Sequence, residues 1–190
     1  MYKTKEYKNL FGLAGFSDQL LENHFKLYKG YVANTNKLIE LRKNTHPGSL
    51  EHAEITPRFG WEYNGMRLHE LYFDSLSKTP IKASDNKNIY DKICNQFGSF
   101  ETWRERFIAT GMMRGIGWVV LYQDKQSGSL FNTWINEHDL GHLTGAQPLV
   151  IMDVFEHAFI TDYGLNRKLY IEAFFNSIDW EIIENRFNTK

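Results

Sequence analysis

The segment Pro148-Leu-Val-Ile-Met-Asp153-Val-Phe-Glu156-His157-Ala-Phe-Ile-Thr-Asp162-Tyr163 constrains this chain more than any other. Its apolar residues mark it as buried, yet an ionisable Asp153 sits inside it and His157 follows four residues later. A lone carboxylate taken out of water is costly, so it must be neutralised, paired or bound to a cation. Aspartate and histidine are also ligands for first-row transition metals. The fold must therefore bring partners to Asp153.

A chain of 190 residues suits one domain or two tightly fused halves, and 42% apolar with 15% aromatic residues can fill a sizeable core. The net charge of −1 gives no general polyanion-binding character, and no charge run resembles a nucleic-acid arm. One cysteine, Cys94, excludes an internal disulfide and fits a reducing compartment. The opening MYKTKEYKNLFGLAGF has too short an apolar run for a signal peptide. No stretch approaches the ~20 apolar residues of a membrane span. The expectation is a cytoplasmic protein that binds neither nucleic acid nor membrane.

Two halves of different character follow. From Ser17 to about Arg42, Leu20, Leu21, Leu27, Tyr28, Tyr31, Leu38 and Leu41 recur at helical spacing, with Ser17-Asp18 as a helix start. Residues 44–56 read as a polar connection. Thr56-Pro57 reads as an N-cap with proline at the first helical position, opening a second helix to about Leu76. These two helices predict an antiparallel hairpin over residues 1–84. Residues 85–190 mix types. Helices are expected at Lys87–Gln96 and Ser99–Met113, strands at Gly115–Asp124, Leu130–Asn136 and Gln147–Val154, and helices at about Arg167–Asn176 and Asp179–Phe187. The expected fold is α+β: a helical hairpin, then a three-stranded antiparallel sheet flanked by helices.

Seven histidines are His24, His46, His52, His69, His138, His142 and His157. His46 and His52 fall in the polar connection and are expected in solvent. His24 lies on the apolar stripe of the first helix and His69 on that of the second. For one such histidine taken alone, a hydrogen-bonded core residue is the simpler reading. Jointly, His24, His69, Asp153 and His157 make four candidate ligands from three elements, between the two halves, in surroundings that would exclude water. Three imidazoles and one carboxylate suit iron, manganese or zinc. Tyr31, Trp118, Trp134 and Phe155 could ring the site.

Several of these stretches resemble one family. Met152-Asp153-Val154-Phe155-Glu156-His157-Ala158-Phe159, continuing to Asp162-Tyr163 and Arg167…Tyr170-Ile171-Glu172-Ala173-Phe174, resembles the C-terminal signature of the iron/manganese superoxide dismutases. Asn64-Gly65…His69…Phe73, Gly115…Gly117-Trp118 and Tyr31-Val32…Asn34…Asn36 are similar to that family's second-ligand helix, glycine-tryptophan strand and first-ligand helix end. The resemblance implies one iron or manganese ion per chain, held by His24, His69, Asp153 and His157. It implies disproportionation of superoxide, a small anion, to oxygen and hydrogen peroxide. Tyr31 would be the catalytic gateway tyrosine. His138 would replace a glutamine that hydrogen-bonds the metal-bound solvent, from a strand end next to the one that Asp153 closes. Glu156 would reach His157 of a second copy across a two-fold axis, giving a homodimer or a tetramer of dimers. Gly65 would leave room for a donor arriving from the other half of the chain. Lys26 and Arg167 are candidates for attracting superoxide.

The chain also departs from the family. His24 precedes Tyr31 by seven residues, where eight are usual, and Asn23 holds the usual position. One residue rotates a helix by about 100° unless a π-bulge is gained or lost, so a helix lacking the bulge, with His24 still ligating, is expected. A histidine and its interface tyrosine partner are replaced by Leu27 and Ile160, and a tryptophan by Phe155. The competing expectation is a non-enzymatic relative that binds metal or serves a structural role. A zinc hydrolase with Glu156 as general base is a third.

Overall fold

The Ser17 hydroxyl accepts from the Leu20 N–H and opens α1, Asp18–Asn44. Its buried stripe, Leu20, Leu21, His24, Phe25, Tyr28, Val32, Thr35 and Leu38, recurs at helical spacing and packs along α2, Leu50–Asp74. The computed structural model describes residues 1–189. Over its 27 residues α1 is α-helical throughout, with no π turn.

The second helix corrects the sequence reading. It starts at Leu50, where the Ser49 side chain accepts from His52 N at 3.1 Å, and runs through Pro57. A proline within a helix removes one ladder hydrogen bond. The Ser49 cap lies a full turn and more upstream, and the Thr56 hydroxyl donates back to the His52 carbonyl at 2.7 Å. His52 is therefore helical and only partly exposed, while His46 stays in solvent.

Beyond the hairpin come α3, Lys87–Phe97, and α4, Phe100–Gly111, the latter capped by Ser99. Three strands follow: β1, Gly117–Asp124, β2, Leu130–Asn136, and β3, Ala146–Asp153. The sheet is antiparallel with order β2-β1-β3, so β1 is the middle strand. Its first six residues are buried, as expected for a strand covered on both faces. Trp118 pairs with Ile135 on one side and Asp153 on the other. β2 and β3 are thus separated by β1 and are not neighbours. A short helix α5, Ile160–Tyr163, then α6, Arg167–Ser177, and α7, Trp180–Asn188, complete the fold, with Asp179 capping α7. The architecture is α+β. Among the described residues no helix is long and apolar enough to cross a membrane.

One partly buried cation ties α2 to the sheet. Arg186 on α7 donates to the Leu149 carbonyl at 2.8 Å and to the Leu71 carbonyl at 2.7 Å. Burial brings its guanidinium down to about 10.

Candidate metal centre

Four side chains meet between α1, α2 and the end of β3. His24 comes from α1, His69 from α2, Asp153 is the last residue of β3, and His157 lies in the 3-10 turn Glu156–Ala158. One donor atom from each lies within 4.8 Å of all the others. Asp153 Oδ2 stands 3.2 Å from His24 Nε2, 3.1 Å from His157 Nε2 and 3.6 Å from His69 Nε2. The side chains of His24, His69 and Asp153 are fully buried, and that of His157 is 27% exposed.

Local bonds aim Asp153 and His69 inward. The backbone N–H of Phe155 donates to Asp153 Oδ1 at 2.9 Å, leaving Oδ2 to the cluster. Tyr170 donates its hydroxyl to the Asp153 carbonyl at 2.6 Å and fixes the strand end. His69 Nδ1–H donates to the Gly65 carbonyl at 2.6 Å. Its proton is thereby on Nδ1, and the Nε2 lone pair faces the cluster, buried and without a hydrogen-bond partner. A buried lone pair beside a carboxylate and two more imidazoles lacks an electrophile, and a divalent or trivalent cation fits that want.

Burial lowers the affinity of His24 for a proton, against the pull of Asp153. Burial, then the facing His24, holds His69 well below the usual imidazole range. For Asp153 burial acts upward, but His157 and the hydrogen bonds from His157 and His24 outweigh it and hold the carboxyl well below its usual range. Neutral His24 and His69 beside an Asp153 carboxylate anion are protonation states that metal ligation needs.

A second constellation lies beside the first. His138 is fully buried, in the turn beyond β2 rather than on a strand running to Asp139. Trp118 donates its indole N–H to His138 Nδ1 at 3.0 Å. An indole can only donate, so the neutral His138 ring carries its proton on Nε2. That N–H points at the Tyr31 hydroxyl, 2.7 Å away. Burial keeps His138 neutral, its imidazolium brought down to about 4. Burial, then Asp153, raises the Tyr31 phenol. Tyr31 Oη therefore receives a proton donor and keeps its own O–H to give.

Tyr31 stacks on His69, with ring centroids 5.1 Å apart. Gly65 makes the space for this ring, since a Cβ there would lie 2.6 Å from Tyr31 Cδ1. The vacancy at Gly65 thus serves a side chain from α1, not a donor from the other half. Trp118 and Phe155 flank the site, as the sequence implied, at 4.9 Å from His69 and 5.0 Å from His157. Trp134 does not; its indole packs over Gly115. Its expected place is filled by Trp61, edge-on to His138 at 4.9 Å. The readable signal was the row Trp61, Gly65, His69, spaced by four along one helix ridge. Arg58 sits 5.2 Å over the Trp61 ring and pairs with the buried Glu62. Of the two cations named from sequence, Lys26 is exposed and paired with Glu22, and Arg167 donates to the carbonyls of Gly111, Met113 and Gly115.

The profile of the iron/manganese superoxide dismutases, C-terminal domain, matches residues 85–186. The chain belongs to the iron/manganese superoxide dismutase family. It is 32% identical to the protein named superoxide dismutase [Fe] of Aquifex pyrophilus, over 97% of this chain and 90% of that one. It is 34% identical to superoxide dismutase [Fe] of Cupriavidus metallidurans, covering 92% and 90%. It is equally 34% identical to superoxide dismutase [Mn] 1 of Halobacterium salinarum, covering 90% and 86%. Relatives named for each metal within this dismutase family are therefore about equally similar.

Proposed function

We propose that this protein is a superoxide dismutase that holds one iron or manganese ion per chain on His24, His69, Asp153 and His157. The observation that carries the reading is the buried convergence of those four donors, with His69 Nε2 left without a partner. We read residues 1–84 and 85–190 as two domains that each give two ligands. The reaction converts two superoxide anions and two protons to oxygen and hydrogen peroxide.

When bound, the ion supplies one-electron redox chemistry. The chain supplies shape and protons. Tyr31, Trp61, His138 and Phe155 enclose the space beside the four donors and restrict it to small molecules. His138 Nε2–H holds the Tyr31 oxygen, so the Tyr31 O–H can be presented to a reduced oxygen species that needs a proton. Trp118 fixes the His138 tautomer that makes this direction unique. A neutral His138 ring is too weak an acid to replace a proton lost from Tyr31, so that proton comes from solvent.

The reading includes a homodimer. His157 Nδ1 makes no hydrogen bond among the described residues, its side chain reaches the surface, and Glu156 beside it is exposed. Ile116, Ile160 and Leu165 add exposed apolar surface nearby. A second copy related by a two-fold axis would set each Glu156 carboxylate on the neighbouring His157 ring, which fixes a ligand's orientation and raises its basicity. A cytoplasmic setting is part of the proposal and is supported by Cys94 being the one cysteine.

The test is purification, elemental analysis, and superoxide decay measured for the protein loaded separately with iron and with manganese. Metal bound near one per chain with rapid superoxide loss supports the reading. Metal at that ratio without activity would replace it with a non-enzymatic metal-binding relative. Zinc alone retained would replace it with a hydrolytic or structural site.

A further inference from the structure

Two hydrogen-bond donors stand on one face of β1, four residues apart, and each serves one histidine beyond β2. Trp118 donates to His138 Nδ1, and the Tyr122 hydroxyl lies 2.8 Å from His142 Nδ1. His142 turns its other nitrogen back toward the turn, with Nε2 2.9 Å from the backbone carbonyl of His138. A carbonyl only accepts, so His142 Nε2 donates to it, and a ring with a single proton leaves its Nδ1 lone pair for the Tyr122 O–H. Tyr122 is buried, and its phenol is raised to about 12 by that burial, so it stays a donor.

The turn needs such ties. Glu137 takes a positive φ of 53°, in the left-handed region. Gly141 has φ +108°, and a Cβ there would meet the Trp134 carbonyl at 2.5 Å. Asn136 and Leu140 close the loop on each other, N to O, at 2.8 and 3.3 Å. A backbone in sparsely populated conformations persists only when its surroundings over-determine it. The side chain of His138 is held by Trp118, but its peptide is held by His142.

We propose that His142 is a positioning residue: braced against Tyr122, it fixes the His138 peptide and so aims His138 Nε2–H at Tyr31. This rests on the role of His138 in the dismutase reading. Its test does not need activity.

The experiment uses the metal-free, 15N-labelled full chain. Long-range proton–nitrogen spectra of the imidazoles report tautomer, and solvent exchange of His138 Nε2–H reports how firmly it is held. In the wild type His138 is expected as the Nε2–H tautomer with a protected proton. His142→Phe keeps a ring but removes both bonds; exchange should be about tenfold faster, as for the loss of one or two neutral hydrogen bonds in a local opening. Tyr122→Phe should give a smaller increase of the same kind. His142→Gln can donate to the carbonyl and accept from the hydroxyl, and should restore slow exchange. Should His142→Phe not fold, Tyr122→Phe and His142→Gln decide. Unchanged exchange in the folded Phe variants, or His142→Gln behaving like a variant without both bonds, overturns the inference. An inactive wild type that still shows the expected spectra would instead count against the dismutase reading alone.

Discussion

Tyr31 and Gly65 compete for one volume: a Cβ on Gly65 would lie 2.6 Å from Tyr31 Cδ1 and 2.8 Å from its Cε1. Gly65→Ala therefore forces the Tyr31 ring off His69 or bends α2. Overpacking of this kind costs about 1–3 kcal/mol. Chemical denaturation should show that loss, and superoxide turnover should fall further than metal content, because Tyr31 loses its place beside His138. Equal turnover per bound metal in the variant would show that the ring's position does not matter.

Asp153→Asn keeps the shape of the cluster's hub and removes its charge. Three imidazoles then lack the anion that offsets the cation. Bound metal at limiting supply should drop by more than about tenfold. Elemental analysis after dialysis checks it; wild-type metal content would remove Asp153 from the ligand set.

Glu156→Ala tests the partner copy. Metal retention and dimer should weaken together, read by sedimentation equilibrium alongside elemental analysis. A stable monomer with full activity would refute the shared contact.

Acid should destabilise the metal-free protein in a defined window. His138 binds its proton near 4 in the fold, against about 6.5 when unfolded. Between those values the unfolded chain holds a proton that the fold does not, so stability rises with pH there. The contribution is complete above pH ~6.5 and is lost as pH falls toward 4, at up to ~1.4 kcal/mol per pH unit. His24 and His69 are shifted the same way and add to the slope. Asp153 is held low instead, so its share is lost only at more acid pH. Denaturation at pH 7 and pH 5 should show the fall, and His138→Gln should flatten it in part.

Arg186→Met removes a partly buried cation but strands the carbonyls of Leu71 and Leu149. Each unsatisfied buried acceptor costs about 1–3 kcal/mol, more than the charge relief returns. Thermal unfolding should move down; an unchanged or raised midpoint would mean that water satisfies both carbonyls.

Periodicity made the hairpin, the three strands and the helices legible, because apolar spacing of 3.6 and 2 is a local signal. Asp153, His24 and His69 stood out since ionisable groups on apolar stripes are expensive, whatever the fold. The start of α2 was misread at Pro57 because a proline prefers a first turn, while the true cap, Ser49, sat in a polar stretch that looked like loop. The sheet order could not be read, as strand adjacency depends on connections and not on strand composition. Trp61 displaced Trp134 at the site, although both are aromatic residues near apolar runs; only the helix ridge to His69 separates them. Tyr122 and His142 gave no signal at all. Their bond joins residues 20 apart on different elements, and neither is unusual where it stands.

The grouped side chains come from two distant parts of the chain: His24 and Asp153 are separated by 129 residues, and His157 lies four residues beyond Asp153. During synthesis the chain emerges N-terminus first. His24 and His69 are made early and on one hairpin, so a nascent chain exposes two imidazoles long before the carboxylate that would hold a cation beside them. Any ion met at that stage faces an incomplete and weaker ligand pair. The full set exists only once residue 157 has left the ribosome and β3 has joined the middle of its sheet. A four-donor site for a cation is therefore available only after translation of nearly the whole chain.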